Sequence, residues 1–254
     1  NRDLSWVEFN RRVLEEALNP DSPLLDKIKF ISIYSSNLDE FYMIRISGIK
    51  EQIAANVSEP TIDGLTPIEQ LQKIENILQP MNRTLINLWN NEIIPSLKKN
   101  NVYILELKDL TSDERAKLNA YFKKEIFPVL TPLAFDPGRP FPYISNLSLS
   151  IAVLVQSLKG EKHFARVKVP NVLPRLLQID KIINPNIKLD NNSHFSAKFI
   201  WLGDLIKENL NILFPKMKVL EAHRFRITRD TDIELQEDEA DDLLEVIEEN
   251  IRQR

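Results

Sequence analysis

The sequence predicts a multidomain α and α+β protein, an N-terminal helical bundle followed by an α+β domain. Three observations carry this expectation. Apolar residues recur at helical spacing through the first hundred positions. A polar break, Lys98-Lys99-Asn100-Asn101, then interrupts the chain. Beyond it, short alternating segments and a hairpin turn replace the long periodic ones. The break sets the expected boundary, with a helical domain over 1–100 and an α+β domain over 101–254.

Taken in order, Trp6, Phe9, Val13, Leu14 and Ala17 fall at helical intervals, and Asn19-Pro20-Asp21-Ser22-Pro23 ends that helix. A second long helix is expected from Leu24 to Ile53. A loop covers Ser58 to Gly64. Thr66-Pro67-Ile68-Glu69 then reads as a capping box with proline at the first helical position. Leu71, Ile74, Ile77 and Leu78 continue that helix. Pro80 is expected to kink it rather than end it, because Leu85, Leu88 and Trp89 resume the pattern.

In the second region Val102 to Leu107 reads as a strand. Thr111-Ser112-Asp113-Glu114 is another capping box, opening a helix to about Ile126. Prolines break up Phe127 to Phe135, and Asp136 to Pro142 is almost entirely turn-forming. Leu147 to Val155 alternates as a strand does, and Lys159-Gly160-Glu161-Lys162 turns it into His163 to Val169. A strand over Phe199 to Leu202, a helix near Asp204 to Leu213 and a strand from Val219 to Thr228 follow. An acidic amphipathic helix is expected over Glu237 to Arg252.

Composition narrows the function classes. The chain has 254 residues, a net charge of −4 and no cysteine. Disulfides, thiolate catalysis and cysteine-based zinc sites are therefore excluded for this chain, and the thiol-free composition fits a cytoplasmic setting. No apolar run approaches the roughly 20 residues that span a bilayer. The acidic balance argues against nucleic acid as a partner. With only five glycines, a phosphate-cradling loop is not expected, nor is a serine nucleophile elbow or a zinc-protease helix visible. His163, His194 and His223 are far apart in sequence and read as packing or surface residues. No catalytic residue and no metal ligand is assigned. The chain opens inside a motif, Asn1-Arg2-Asp3-Leu4-Ser5-Trp6, without an initiator Met or a signal-peptide pattern, and is expected to be a piece of a longer one.

The most informative stretch is Tyr34-Ser35-Ser36-Asn37-Leu38-Asp39-Glu40-Phe41-Tyr42, where polar side chains interrupt an apolar helical pattern. Asparagine is unfavourable inside a helix because its amide competes for the backbone. Asn37 could join two helices or hydrogen-bond the edge of a ligand, and spacing alone leaves both open. Asp39 and Glu40 are adjacent, point about 100° apart on a helix, and read as surface residues. Arg166 and Lys168 share one strand face, Arg224 and Arg226 another, with Arg229 just beyond. If those strands are neighbours, the four could form a basic surface for a polyanion.

Several of these segments resemble bacterial type-1 polyphosphate kinase. The similarity begins at Asp3-Leu4-Ser5-Trp6-Val7-Glu8-Phe9-Asn10-Arg11-Arg12-Val13-Leu14-Glu15-Glu16-Ala17 and continues at Ser35-Ser36-Asn37-Leu38-Asp39-Glu40-Phe41 and Asp63-Gly64-Leu65-Thr66-Pro67. Its longest stretch runs from Leu130-Thr131-Pro132-Leu133-Ala134-Phe135 through Asp136-Pro137-Gly138-Arg139 to Leu149. Phe164 to Pro170, Leu173-Pro174-Arg175, Leu220 to His223 and Arg226 to Arg229 follow in order.

The resemblance implies an N-terminal domain and a head domain of an enzyme that moves the terminal phosphate of ATP reversibly onto polyphosphate through a phosphohistidine. It also implies that the phosphorylated histidine, the magnesium ligands and most phosphate contacts lie in C-terminal domains beyond this chain. None of the three histidines here matches the phosphorylated one. The family's nucleotide-contacting asparagine falls on Asn37, which turns the open choice there toward ATP binding. Family members form homo-oligomers through the head domain. Alone, the chain is expected to be inactive. The alternative is a non-catalytic scaffold or polyanion-binding module, with a nucleic-acid adapter as the weaker third possibility. Peripheral membrane association is left open.

Overall fold

The computed structural model describes residues 1–134, 144–184 and 196–230. The chain divides into two compact units, one holding Asn1–Leu97 and the other Lys98–Ile227, and the described residues beyond Ile227 go with the first.

The first unit is helical. Helix α1 spans Arg2–Leu18, its free amides at Asp3 and Leu4 capped by the Asn1 side chain. Its buried stripe is Val7, Asn10, Leu14 and Ala17. The stripe expected from spacing was centred one residue away, and Phe9 is 48% exposed. Helix α2 spans Leu24–Phe41. It passes through one wider π turn, Tyr42–Ile46, into α3, Ser47–Ala54. The expected single helix is thus continuous in path but not in hydrogen-bond register.

Thr66 opens α4, Pro67–Leu88, with the reciprocal capping box in place. The helix runs on through Pro80, then through a second π turn, Trp89–Ile93, into α5, Ile94–Lys99. The core between these helices holds Val7, Leu14, Tyr34, Phe41, Ile46, Ile49, Ile74, Leu78 and Met81. Trp6 stacks nearly parallel on Phe41, ring centres 4.2 Å apart. Lys27, 6% exposed, donates to Glu92 Oε1 at 2.5 Å.

The second unit is α+β. Strand β1, Val102–Ile104, is shorter than expected, because the chain turns into a 3-10 segment at Leu107–Asp109. Helix α6, Ser112–Tyr121, starts from the Thr111 capping box and ends in a third π turn, Phe122–Ile126. Strands β2, Pro132–Ala134, β3, Leu149–Gln156, and β4, Lys162–Lys168, come next. Gly160 supplies the positive φ of 87° that the β3–β4 hairpin needs.

A strand and helix that the sequence did not announce follow, β5 at Leu176–Gln178 and α7 at Ile179–Ile183. Then come β6, Ala197–Trp201, helices α8, Leu202–Glu208, and α9, Leu210–Leu213, and strand β7, Lys218–Arg226. The helix expected near 204–213 is therefore two, broken at Asn209, whose amide donates to the Leu205 carbonyl and to Asn119 Oδ1, each at 3.0 Å.

Two sheets result. One orders β1-β6-β5, with β1 parallel and β5 antiparallel to β6. The other is antiparallel, ordered β2-β4-β3-β7. Ile151, Val153, Val155, Ala165 and Val167 line its buried face and pack into one core with Leu118, Phe122, Ile126, Leu202, Leu205 and Ile206. Asp136 to Pro142, His194 and the acidic segment Glu237 to Arg252 lie outside the described residues. Among the described residues, no helix is long and apolar enough to cross a membrane.

Candidate functional site

In the helical unit, α1, α2 and the π turn after α2 enclose a cleft of about 360 Å³. Its apolar lining comes from Trp6, Phe9, Phe41 and Ile44, and its polar lining from Arg2, Asp3, Asn37, Glu40 and Arg45. Asn37, half-buried, is the sequence-predicted residue in it. The helical period explains the gathering. Asn37, Glu40, Phe41 and Ile44 lie three or four residues apart and share one helix face. The first two turns of α1 bring Asp3, Trp6 and Phe9 to meet it.

The polar groups hold one another in order. Tyr34, fully buried, donates its hydroxyl to Asn82 Oδ1 at 3.0 Å, which ties α2 to α4. Burial, and to a lesser degree neighbouring Tyr42, pushes the Tyr34 phenol up to about 12. Asn10, also fully buried, donates from Nδ2 to the Tyr34 carbonyl at 3.2 Å. Its Oδ1 accepts from Asn37 Nδ2 at 3.1 Å. At the far side Asp3 forms an ion pair with Arg45, Oδ1 lying 2.9 Å from Nε, and accepts a hydrogen bond from Gln70 Nε2 at 2.7 Å. The π turn Tyr42–Ile46 places Ile44 and Arg45 on the cleft.

The set can stack a planar ring and hydrogen-bond its edge. It contains no nucleophile beside a base. Among the described residues, no three His, Asp or Glu side chains gather as a metal site. His163 and His223 each lie near the carboxylate two residues earlier in the chain, Glu161 at 3.7 Å and Glu221 at 3.6 Å.

The four basic strand residues do not form one surface. Strand β3 lies between β4 and β7. Arg166 pairs opposite Ala152 and Lys168 opposite Ser150, whereas Arg224 pairs opposite Ile151 and Arg226 opposite Leu149. Directly paired residues share a face and neighbours along a strand alternate, so the two pairs of cations lie on opposite sides of the sheet. Arg166 is 4% exposed, and burial lowers its guanidinium from the usual value. Lys168 donates to Ser145 Oγ at 3.3 Å. Exposed Arg224 meets Asp204 of α8 at 3.2 Å.

Residue-by-residue reading of the sequence passed over Asn10, Asp3, Trp6, Phe9 and Arg45 as site residues. A signal existed for Asn10, since it occupies the i+3 position between Val7 and Leu14 in an otherwise apolar stripe. For Arg45 there was none, because its placement depends on the π turn.

Comparison with known proteins bears on both units. Residues 1–105 match the polyphosphate kinase N-terminal domain, and residues 113–254 match the polyphosphate kinase middle domain. Polyphosphate kinase 1 of Chlorobaculum tepidum is 49% identical over 257 residues, covering 100% of this chain and 36% of that protein. Polyphosphate kinase of Mycobacterium tuberculosis is 41% identical over 255 residues, again covering 100% of this chain and 34% of the relative. The crystal structure of polyphosphate kinase from Porphyromonas gingivalis superposes with a TM-score of 0.70 at 27% identity, over 89% of this chain and 33% of that one. The chain thus spans about a third of the length of the curated relatives it matches.

Proposed function

The chain belongs to the polyphosphate kinase family, and we propose that it supplies the nucleotide-base contact of an ATP–polyphosphate phosphotransferase. The proposal divides it at 100/101 into an N-terminal domain that holds the base and a head domain that joins two copies of the enzyme. The reaction, reversible transfer of the terminal phosphate of ATP through a phosphohistidine with magnesium, belongs to domains beyond these residues. A cytoplasmic location goes with that assignment.

The observation that carries the proposal is the state of Asn37. It lines a cleft walled by aromatic and charged side chains, and its amide is held by Asn10 through one N–H. Its oxygen and its second N–H remain for a ligand, the pair that an adenine edge needs. Phe9, 48% exposed, offers a ring face beside it.

Magnitudes set the limits of this contact. One neutral hydrogen bond contributes about 0.5–1.5 kcal/mol net, while micromolar binding needs roughly 8 kcal/mol. Asn37 therefore orients a nucleotide whose triphosphate is held elsewhere. It follows that the isolated chain does not phosphorylate itself with labelled ATP and binds ATP weakly. In the full-length enzyme Asn37→Ala raises the KM for ATP roughly three- to tenfold and lowers kcat less, the signature of lost uniform binding. An unchanged KM would return Asn37 to a structural role between helices.

A further inference from the structure

Asparagine can present its amide in two orientations that differ only by exchange of oxygen and nitrogen. In an exposed side chain both are open. In this chain the orientation of Asn37 is dictated from the core. The Tyr34 backbone carbonyl can only accept, so it takes a hydrogen from Asn10 Nδ2, 3.2 Å away. That commits the Asn10 oxygen to the other side, where it can only accept, and Asn37 must answer with Nδ2, at 3.1 Å. Every link is enforced by the one before it. Asn10 is fully buried, so no water competes for its amide. The start of the relay is itself anchored, because the Tyr34 hydroxyl is bonded to Asn82 on α4.

We infer that Asn10 is a positioning residue that fixes the donor and acceptor order of Asn37 and thereby lets the cleft prefer adenine over guanine. The chemistry follows from the two bases. At the six position adenine carries an N–H donor and guanine an oxygen acceptor. At one placement of the ring, an amide free to turn over meets either base. An amide locked with its oxygen and one N–H remaining meets the adenine edge, and sets its oxygen against that of guanine. Phe9 and Phe41 offer the ring apolar contact and no hydrogen bond to either base.

This inference rests on the base-contact role proposed above, and its test separates the two. In the full-length enzyme, kcat/KM for ATP and for GTP are measured for the parent, Asn37→Ala, Asn10→Leu and Asn10→Asp, with thermal unfolding as a folding check. Asn10→Leu keeps the branching of the side chain but removes both bonds, and Asn37 is free to turn. The preference for ATP over GTP is expected to fall roughly three- to tenfold, the worth of about one hydrogen bond. Asn10→Asp loses stability, yet its oxygen still accepts from Asn37 in either protonation state, so the preference is expected to persist. A residue that merely supported the fold would move both variants together.

If Asn10→Leu is unfolded, Asn10→Ser carries the same test, because its hydroxyl is too short to reach Asn37. Asn37→Ala raising the KM while Asn10→Leu and Asn10→Ser keep the parental preference overturns the relay alone. An unchanged KM in Asn37→Ala overturns the base contact beneath it.

Discussion

The two units treat polar side chains in opposite ways. In the helical unit Asn10, Tyr34, Asn37 and Asn82 come from three helices and bond to one another beside a single cleft. In the sheet unit Arg166 and Lys168 point away from Arg224 and Arg226, although all four lie on strands flanking β3. The difference is geometric. Helices packed side by side bring residues distant in sequence to one place, and the 3.6-residue period leaves a few of them on the seam. A pleated strand sends its neighbours to opposite faces, so a row of cations read along it is split. A polar residue inside a helical stripe is therefore the stronger sign of a site, and a run of basic residues on strands the weaker.

The largest effect separates stability from binding. Phe122 is fully buried in the core of the sheet unit, its ring centre 6.5 Å from that of Phe127. Phe122→Ala is expected to cost about 3–5 kcal/mol in a urea titration while leaving the KM for ATP of the folded enzyme where it was. A rise in KM comparable to that of Asn37→Ala would break the contrast between the unit proposed to hold the base and the other one.

How much of this was legible in the sequence depended on whether the signal was local. The capping boxes at Thr66 and Thr111 are read from four residues each, and both form, with Thr66 N bonded to Glu69 and Thr111 N to Glu114 at 2.9 Å. The β3–β4 hairpin was visible in its alternation and in Gly160. The π turns were not, since they add one residue to a turn without changing the composition that predicts a helix. Strand β5 and helix α7 are too short, at 3 and 5 residues, to show a period. The buried stripe of α1 was misplaced because Phe9 faces the cleft and Trp6 lies between cleft and core, stacked on Phe41, so hydrophobicity alone put both fully inside. Asn37 was singled out by its position in an apolar pattern, and the nucleotide-contacting role proposed for it came from the family resemblance. Asn10 needed the partner helix.

A smaller effect sharpens the polar side of the comparison. Tyr34→Phe removes the bond to Asn82 and leaves the Asn82 oxygen in a partly buried place, an expected loss of about 1 kcal/mol at neutral pH. The same variant changes the alkaline behaviour. Burial raises the Tyr34 phenol from 10.0 to about 12 in the folded chain. The unfolded chain therefore loses its proton first as pH rises. The contribution is fully present below 10, falls between 10 and 12, and is gone above the folded value. Unfolding titrations across that window should show a shallower decline for Tyr34→Phe than for the parent. An equal decline would mean that the phenol is not the group that titrates there.

The smallest effect tests the split sheet. Arg224 and Asp204 are 44% and 29% exposed, and exposed pairs of this kind contribute about 0.2–1 kcal/mol. Arg224→Ala should lose no more than that, and less in high salt, where the pair is screened. Lys168→Ala removes a bond to Ser145 on the other side of the sheet. The two residues share no partner and no face, so their effects should add, with a coupling below about 0.5 kcal/mol in a double-mutant cycle. The same independence should hold for any polyphosphate binding measured across the four variants of the cycle. A coupling above 1 kcal/mol in either measurement would require one anion or one network to reach both residues. The register places them on opposite faces, so no single bound chain could lie against both without passing around the edge of the sheet.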